Sequence, residues 1–153
     1  MHKLKNFGIT GQPHTWISNF LMNRTMKVVL DGESSEQVRV DSGVPQGTVL
    51  GPLLFLCHIN DLPDCVKSQV RLCADDCLLY RTIKTFEDHV ALQNDLSELD
   101  IWAKKWGMRF NSKKCYILSV KQRSQFFYTL SGDILKQVED NPYLGVLLSE
   151  DMK

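Results

Sequence analysis

The residues best suited to chemistry in this chain are two adjacent aspartates, Asp75 and Asp76, inside an otherwise apolar run from Val70 to Tyr80. The flanks are short and β-prone, so the run reads as strand, tight turn, strand. Two carboxylates buried or half-buried in such a setting are costly unless a cation offsets them. A divalent metal ion is the common partner of paired, oxygen-only ligands, which points to metal-assisted chemistry on phosphates. The competing reading is a surface hairpin with an Asp-Asp turn, because Asp is at home in turns.

Composition bounds what surrounds the pair. The 153 residues are 43% hydrophobic, enough for one ordinary core and one domain. Eighteen basic and eighteen acidic side chains leave a net charge of zero. That balance argues against a self-sufficient nucleic-acid binder, which usually carries a basic surplus. No stretch reaches the roughly 18 consecutive apolar residues of a membrane span, and the N-terminus lacks a hydrophobic signal core. A soluble, intracellular protein is expected.

Cysteines stand at 57, 65, 73, 77 and 115, with no C-x-x-C and no histidine pair at zinc spacing. Reduced thiols acting as small, mostly buried hydrophobes are expected. The four histidines are scattered and none accompanies a plausible nucleophile.

The elements that must position the aspartates follow from periodicity. Trp16, Ile17, Phe20 and Leu21 predict a helix ending near Asn23 and Arg24. Met26 to Leu30 and Gln37 to Val40 predict two strands joined across residues 31–35. A Gly- and Pro-containing loop from Asp41 to Thr48 feeds an apolar helix over Val49 to Ile59, with Gly51 and Pro52 in its first turn.

After the Asp-Asp hairpin, Thr85 and Asp88 resemble a capping box. The helix they open carries an apolar stripe of Phe86, Val90, Leu92, Leu96, Leu99, Ala103 and Trp106, and Gly107 stops it. Cys115 to Val120, Phe126 to Leu130 and Tyr143 to Leu148 predict strands, with a turn at Ser131, Gly132 and Asp133. The class is α+β.

An ordered set of motifs then resembles one family. Ser42 to Phe55 (SGVPQGTVLGPLLF), Asn60-Asp61-Leu62, Cys73-Ala74-Asp75-Asp76, Trp102-Ala103 with Trp106, Phe110 to Cys115 (FNSKKC) and Tyr143-Leu144-Gly145-Val146 are similar to the reverse transcriptase of non-LTR, LINE-type retrotransposons. The resemblance covers essentially the whole chain. Cys73 replaces the family's usual aromatic before Ala-Asp-Asp.

What the resemblance implies is an incomplete polymerase palm, an antiparallel sheet backed by helices, spanning 1–153 as one partial domain. The junction of primer grip and thumb would fall near 126–148. It implies Mg²⁺, with Mn²⁺ as a substitute, held by Asp75 directly and by Asp76 in support. RNA template, DNA primer and deoxynucleotides would be the partners.

Pro45, Gln46 and Gly47 resemble positions that contact template and incoming nucleotide; a rigid turn into a helix would use Gly and Pro as well. Lys114 matches a lysine that can approach the leaving pyrophosphate, or is simply solvated. Tyr143, Leu144 and Gly145 resemble the primer-grip hairpin, with a core tyrosine as the alternative.

The segment His2 to Ile9 resembles the stretch that follows the family's first catalytic aspartate, so that aspartate, the fingers and most of the thumb are expected to lie outside this chain. Polymerase activity of the chain alone is therefore not expected. The alternatives are a non-catalytic retroelement remnant that folds or binds nucleic acid or protein, and a nucleotidyl cyclase, against which the Pro45-Gln46-Gly47 loop argues. Location in nucleus or cytoplasm is left open.

Overall fold

The structure is a computed structural model that describes residues 1–121 and 125–151. Its contacts divide the chain into two compact units, Met1–Asp61 and Leu62–Lys153.

The first unit begins with α1 (His2–Asn6) and α2 (Gly11–Leu21). A β-ribbon follows, made of β1 (Arg24–Met26), β2 (Val29–Leu30), β3 (Glu33–Ser34) and β4 (Val38–Val40). The helix α3 (Leu50–Ile59) closes the unit. Leu4, Ile17 and Leu54, one from each helix, form its core, and Ile9, Phe20, Leu21, Val44, Leu50 and Cys57 pack around them. Lys3 is buried, with its ammonium donating to the His58 carbonyl and to the Asp61 carboxylate. This ties α1 to the C-terminal end of α3, where carbonyls lack helical partners.

The ribbon departs from the expected single hairpin. It is two nested antiparallel pairs, β2 with β3 and β1 with β4, and β3 lies inside the predicted 31–35 connection. Asp31 and Gly32 make the tight turn at positive φ, +50° and +87°. Two-residue turns of this hand suit the strand twist, so pairing resumes at once on either side. Both faces of the ribbon are exposed, so no burial pattern marked its register.

The second unit opens with a 3-10 turn (Leu62–Cys65), then β5 (Gln69–Cys73) and β6 (Asp76–Tyr80). The long helix α4 (Phe86–Lys105) follows. A second 3-10 turn (Ser112–Lys114) leads to β7 (Tyr116–Leu118). Then come β8 (Thr129–Leu130), β9 (Asp133–Ile134), β10 (Lys136–Val138), β11 (Asp140–Tyr143) and β12 (Val146–Ser149). Pairing is antiparallel except for β7 with β10, which is parallel. Helices with small, mostly antiparallel sheets make the class α+β.

Helix α4 starts as expected: the Asp88 carboxylate accepts from the Thr85 N–H at 3.0 Å, and Thr85 and Asp88 complete a reciprocal capping box. Its buried stripe is Leu96, Leu99, Trp102 and Ala103, packed over the first 3-10 turn and β8. The predicted stripe began too early. Phe86 and Val90 are exposed, because the first turns of α4 meet an aromatic cluster rather than a sheet. There His89 stacks on Phe126 with ring centroids 4.9 Å apart, and its Nδ1 is 2.6 Å from the Tyr128 hydroxyl. The predicted strand from Phe126 narrows to Thr129–Leu130 accordingly.

Two further expectations shift. Tyr143 to Leu148 is not one strand: Tyr143 ends β11, Leu144 and Gly145 turn the hairpin, and Val146 to Leu148 run in β12 as expected. All five cysteines are free, but Cys73 is exposed and the other four are only half-buried. Among the described residues no helix is long and apolar enough to cross a membrane.

Candidate active site

The Asp-Asp hairpin is a strict two-residue turn. Cys73 pairs with Asp76, leaving Ala74 and Asp75 as the loop. Asp75 therefore sits at the tip, and Asp76 is the first residue of β6. Ala74 takes φ +50°, a conformation that costs a residue with a Cβ about 1–2 kcal/mol. Strain of this kind persists only where surrounding pairing imposes it.

Strand alternation sorts the faces. Val70, Leu72, Cys77 and Leu79 share one face, while Gln69, Arg71, Cys73, Asp76, Leu78 and Tyr80 share the other. Both aspartates are exposed. That corrects the sequence-based argument from buried charge: water solvates the pair, so no cation is needed to offset desolvation. The pair is instead accessible to one.

The base of the hairpin is held by α4. Asp95, buried at 4% exposure, accepts the N–H of Lys67 at 2.9 Å and of Ser68 at 2.8 Å. Burial alone would raise its pKa, but the Lys67 and Ser68 hydrogen bonds and nearby Arg81 outweigh that and hold it below the usual value. Arg81, just past β6, forms an ion pair with Asp88 at 3.5 Å. Both legs of the hairpin are thus fastened to one helix. Sequence reading missed Asp95, although a signal was present: an acid standing between Leu92 and Leu99 on an apolar stripe.

Tyr143 lies beside this hairpin. Burial raises its phenol pKa first, and the nearby Cys73, Asp76 and Cys77 raise it further. The turn after it uses positive φ at both Leu144 (+52°) and Gly145 (+79°), the signature of a tight primed turn. Cys77 is pushed up to about 11, by burial first and then by Cys115 and Cys65. Lys114 is exposed at the end of the 3-10 turn, immediately before Cys115. Within the second unit, Tyr143 thus feels the charge of Asp76, and Cys77 that of Cys115, the residue after Lys114.

Pro45, Gln46 and Gly47 lie in the first unit. The Thr48 hydroxyl donates to the Pro45 carbonyl at 2.8 Å and accepts the Gly51 N–H at 3.1 Å. This staples the loop to the N-terminus of α3, satisfying one of its unpaired donors. Gly51 is required there, since a Cβ would stand 2.7 Å from the Pro45 carbonyl oxygen. Gln46 is exposed and Gly47 adopts φ +75°.

Of the other acids, Asp41 pairs with Arg39 and Asp61 with Lys3. Among the described residues no group of three or more His, Cys, Asp or Glu could hold a metal ion. Two adjacent carboxylates still suit Mg²⁺ in donor type, because that ion uses one or two protein carboxylates and completes its shell with water and phosphate.

Residues 1–148 match the family model described as reverse transcriptase (RNA-dependent DNA polymerase). The chain belongs to the reverse transcriptase family. It is 29% identical over 147 residues to the RNA-directed DNA polymerase from mobile element jockey of Drosophila melanogaster, covering 89% of this chain and 16% of that protein. To the probable RNA-directed DNA polymerase from transposon BS of the same fly it is 32% identical, over 88% of this chain and 16% of the relative. To that from transposon X-element it is 31% identical, over 86% and 15%. These relatives are polymerases of non-LTR retrotransposons. The chain thus spans about one sixth of the length of such relatives. No solved structure gives a significant match.

Proposed function

We propose that this chain carries part of the catalytic palm of an RNA-directed DNA polymerase and works in Mg²⁺-dependent nucleotidyl transfer. The observation that carries the reading is the exposed carboxylate pair on a two-residue turn, within a chain of this family. Asp75 and Asp76 would hold Mg²⁺, with Mn²⁺ as a substitute. When bound, the metal supplies activation of a primer 3′-hydroxyl and neutralises charge developing on pyrophosphate.

The chain's own residues would do the rest. The strained turn and the α4 anchor fix where the two carboxylates stand. Lys114, a flexible point charge, would approach the departing pyrophosphate. Pro45, Gln46 and Gly47 would meet template and incoming nucleotide, with glycine letting backbone come close. Tyr143, Leu144 and Gly145 would support the primer end, a role with which the influence of the Asp76 charge on Tyr143 agrees. RNA template, DNA primer and deoxynucleotides are the corresponding partners, and cytoplasm or nucleus the corresponding location.

On this reading two carboxylates bind metal weakly, and the chain by itself does not extend a primer. The test is a Mn²⁺ titration followed by electron paramagnetic resonance, with primer extension run in parallel. Weak Mn²⁺ binding that disappears in Asp75→Asn is expected. Binding unchanged by Asp75→Asn and Asp76→Asn together would leave a non-catalytic remnant as the better description.

A further inference from the structure

We infer that Arg24 is a positioning residue for the Gln46 loop, setting the conformation in which that loop meets template–primer. The inference rests on the assignment of Pro45, Gln46 and Gly47 to substrate contact.

Arg24 is the first residue of β1 and its side chain is half-buried. Its Nε–H donates to the Leu21 carbonyl at 2.9 Å, at the C-terminal end of α2. Its Nη2 donates to two successive carbonyls at the start of the loop, Ser42 at 3.0 Å and Gly43 at 2.6 Å. One planar guanidinium thus bridges a helix end and the loop entry. Carbonyls at a helix end carry partial negative charge, so a permanent cation is well placed there.

Arginine is specifically suited to this bridge. Its donors are fixed in a rigid fork, whereas a lysine offers one point of donation on a flexible stem. The carboxylate just before the loop entry, Asp41, is taken by Arg39 at 2.6 Å, which leaves the guanidinium to the carbonyls.

The loop is pinned twice more downstream. Val44 packs against the core of Leu4, Ile17 and Leu54. Thr48 ties Pro45 to α3 through the Gly51 N–H. Between these pins Gln46 and Gly47 project, the first exposed and the second at positive φ. Arg24 is the pin at the loop's entry, where Gly43 at φ +74° would otherwise let the chain swing.

The experiment uses the chain as it stands, with Arg24→Lys, Arg24→Ala, Gln46→Ala and the Arg24→Lys/Gln46→Ala double variant. Two readouts are taken: ¹⁵N order parameters of the Gly43, Val44, Gln46 and Gly47 amides, and anisotropy of a fluorescent RNA–DNA template–primer. Circular dichroism confirms the fold of each variant.

For Arg24→Lys, order parameters are expected to fall from about 0.85, a rigid backbone, toward 0.6, with the fold intact. Template–primer affinity should weaken about fivefold, close to the loss of one net hydrogen bond. Because lysine keeps the charge, that loss cannot come from lowered electrostatic attraction. The double variant should bind no worse than Gln46→Ala alone, since Arg24 acts through the loop.

Unchanged order parameters in both Arg24 variants would overturn the inference whatever the binding shows, as would losses that add in the double variant. A wild-type chain that does not bind template–primer, or binds it independently of Gln46, would instead overturn the assignment of the loop to substrate.

Discussion

Ala74 is the residue at which the hairpin's geometry is most expensive. Its φ of +50° is one that glycine adopts freely and alanine does not. Ala74→Gly removes about 1–2 kcal/mol of strain while adding about 0.5–1 kcal/mol of entropy to the unfolded chain. A net gain between about 0 and 1.5 kcal/mol, seen as a rise of a few degrees in Tm, is expected by thermal unfolding. A lowered Tm would show that the turn is not strained as its φ suggests. The aspartates themselves are solvated, so Asp75→Asn should change the unfolding free energy by no more than about 0.5 kcal/mol while abolishing Mn²⁺ binding. That split separates a ligand from a structural turn residue.

At the scale of elements, the two anchors of the candidate site are polar residues in apolar company. Asp95→Ala would leave the N–H groups of Lys67 and Ser68 without their acceptor at a part-buried place. A loss of about 1–2 kcal/mol is expected, since a donor left without a partner costs about 1–3 kcal/mol where it is buried and less where water reaches it. Denaturant unfolding would show it, and Asp95→Asn should recover only part, because an amide offers one acceptor and an NH₂ that faces another donor.

Gly51→Ala presses a methyl within 2.7 Å of the Pro45 carbonyl. Overpacking of that kind costs about 1–3 kcal/mol, and chemical shifts of Gln46 and Gly47 should move while those in α4 stay put.

Much of this was legible beforehand. The hairpin of the aspartates, the helix from Leu50 and the capping box at Thr85 each follow from local chemistry that the structure repeats. What escaped was tertiary. Nested pairing in the Arg24 to Val40 ribbon has no buried face to announce it. Burial of Asp95 depends on two backbone amides 27 and 28 residues away. Exposure of Phe86 depends on Phe126 and Tyr128 claiming the space around His89. Solvation of Asp75 and Asp76 agrees with the surface-hairpin reading, which the turn preference of Asp already offered.

For the molecule as a whole, zero net charge removes global repulsion as a driver of unfolding near neutrality, so pH sensitivity falls to individual groups. The resolved carboxylate shifts are concentrated on α4. Asp95 is lowered by its backbone hydrogen bonds against its burial, and Asp100 by Lys104 and Ser131. Glu87 is lowered by its own backbone N–H and Thr85, and Asp88 by the N–H groups of Lys84 and Thr85. A folded pKa below the unfolded value, about 4, means that the stabilisation is complete above that value. It is lost as pH falls through the lower folded pKa.

The second unit should therefore hold a flat stability plateau down to about pH 5 and destabilise steadily below about pH 4, with α4 amides losing exchange protection first. Asp95 is the buried member, so Asp95→Asn should lower the plateau and shallow the acid limb at the same time. Asp88→Asn, at an exposed cap, should move the limb less. If the acid limb kept its full slope in Asp95→Asn, the acid sensitivity would lie in groups outside α4, and the helix would not be the element whose ionised carboxylates keep the Asp75–Asp76 hairpin in place.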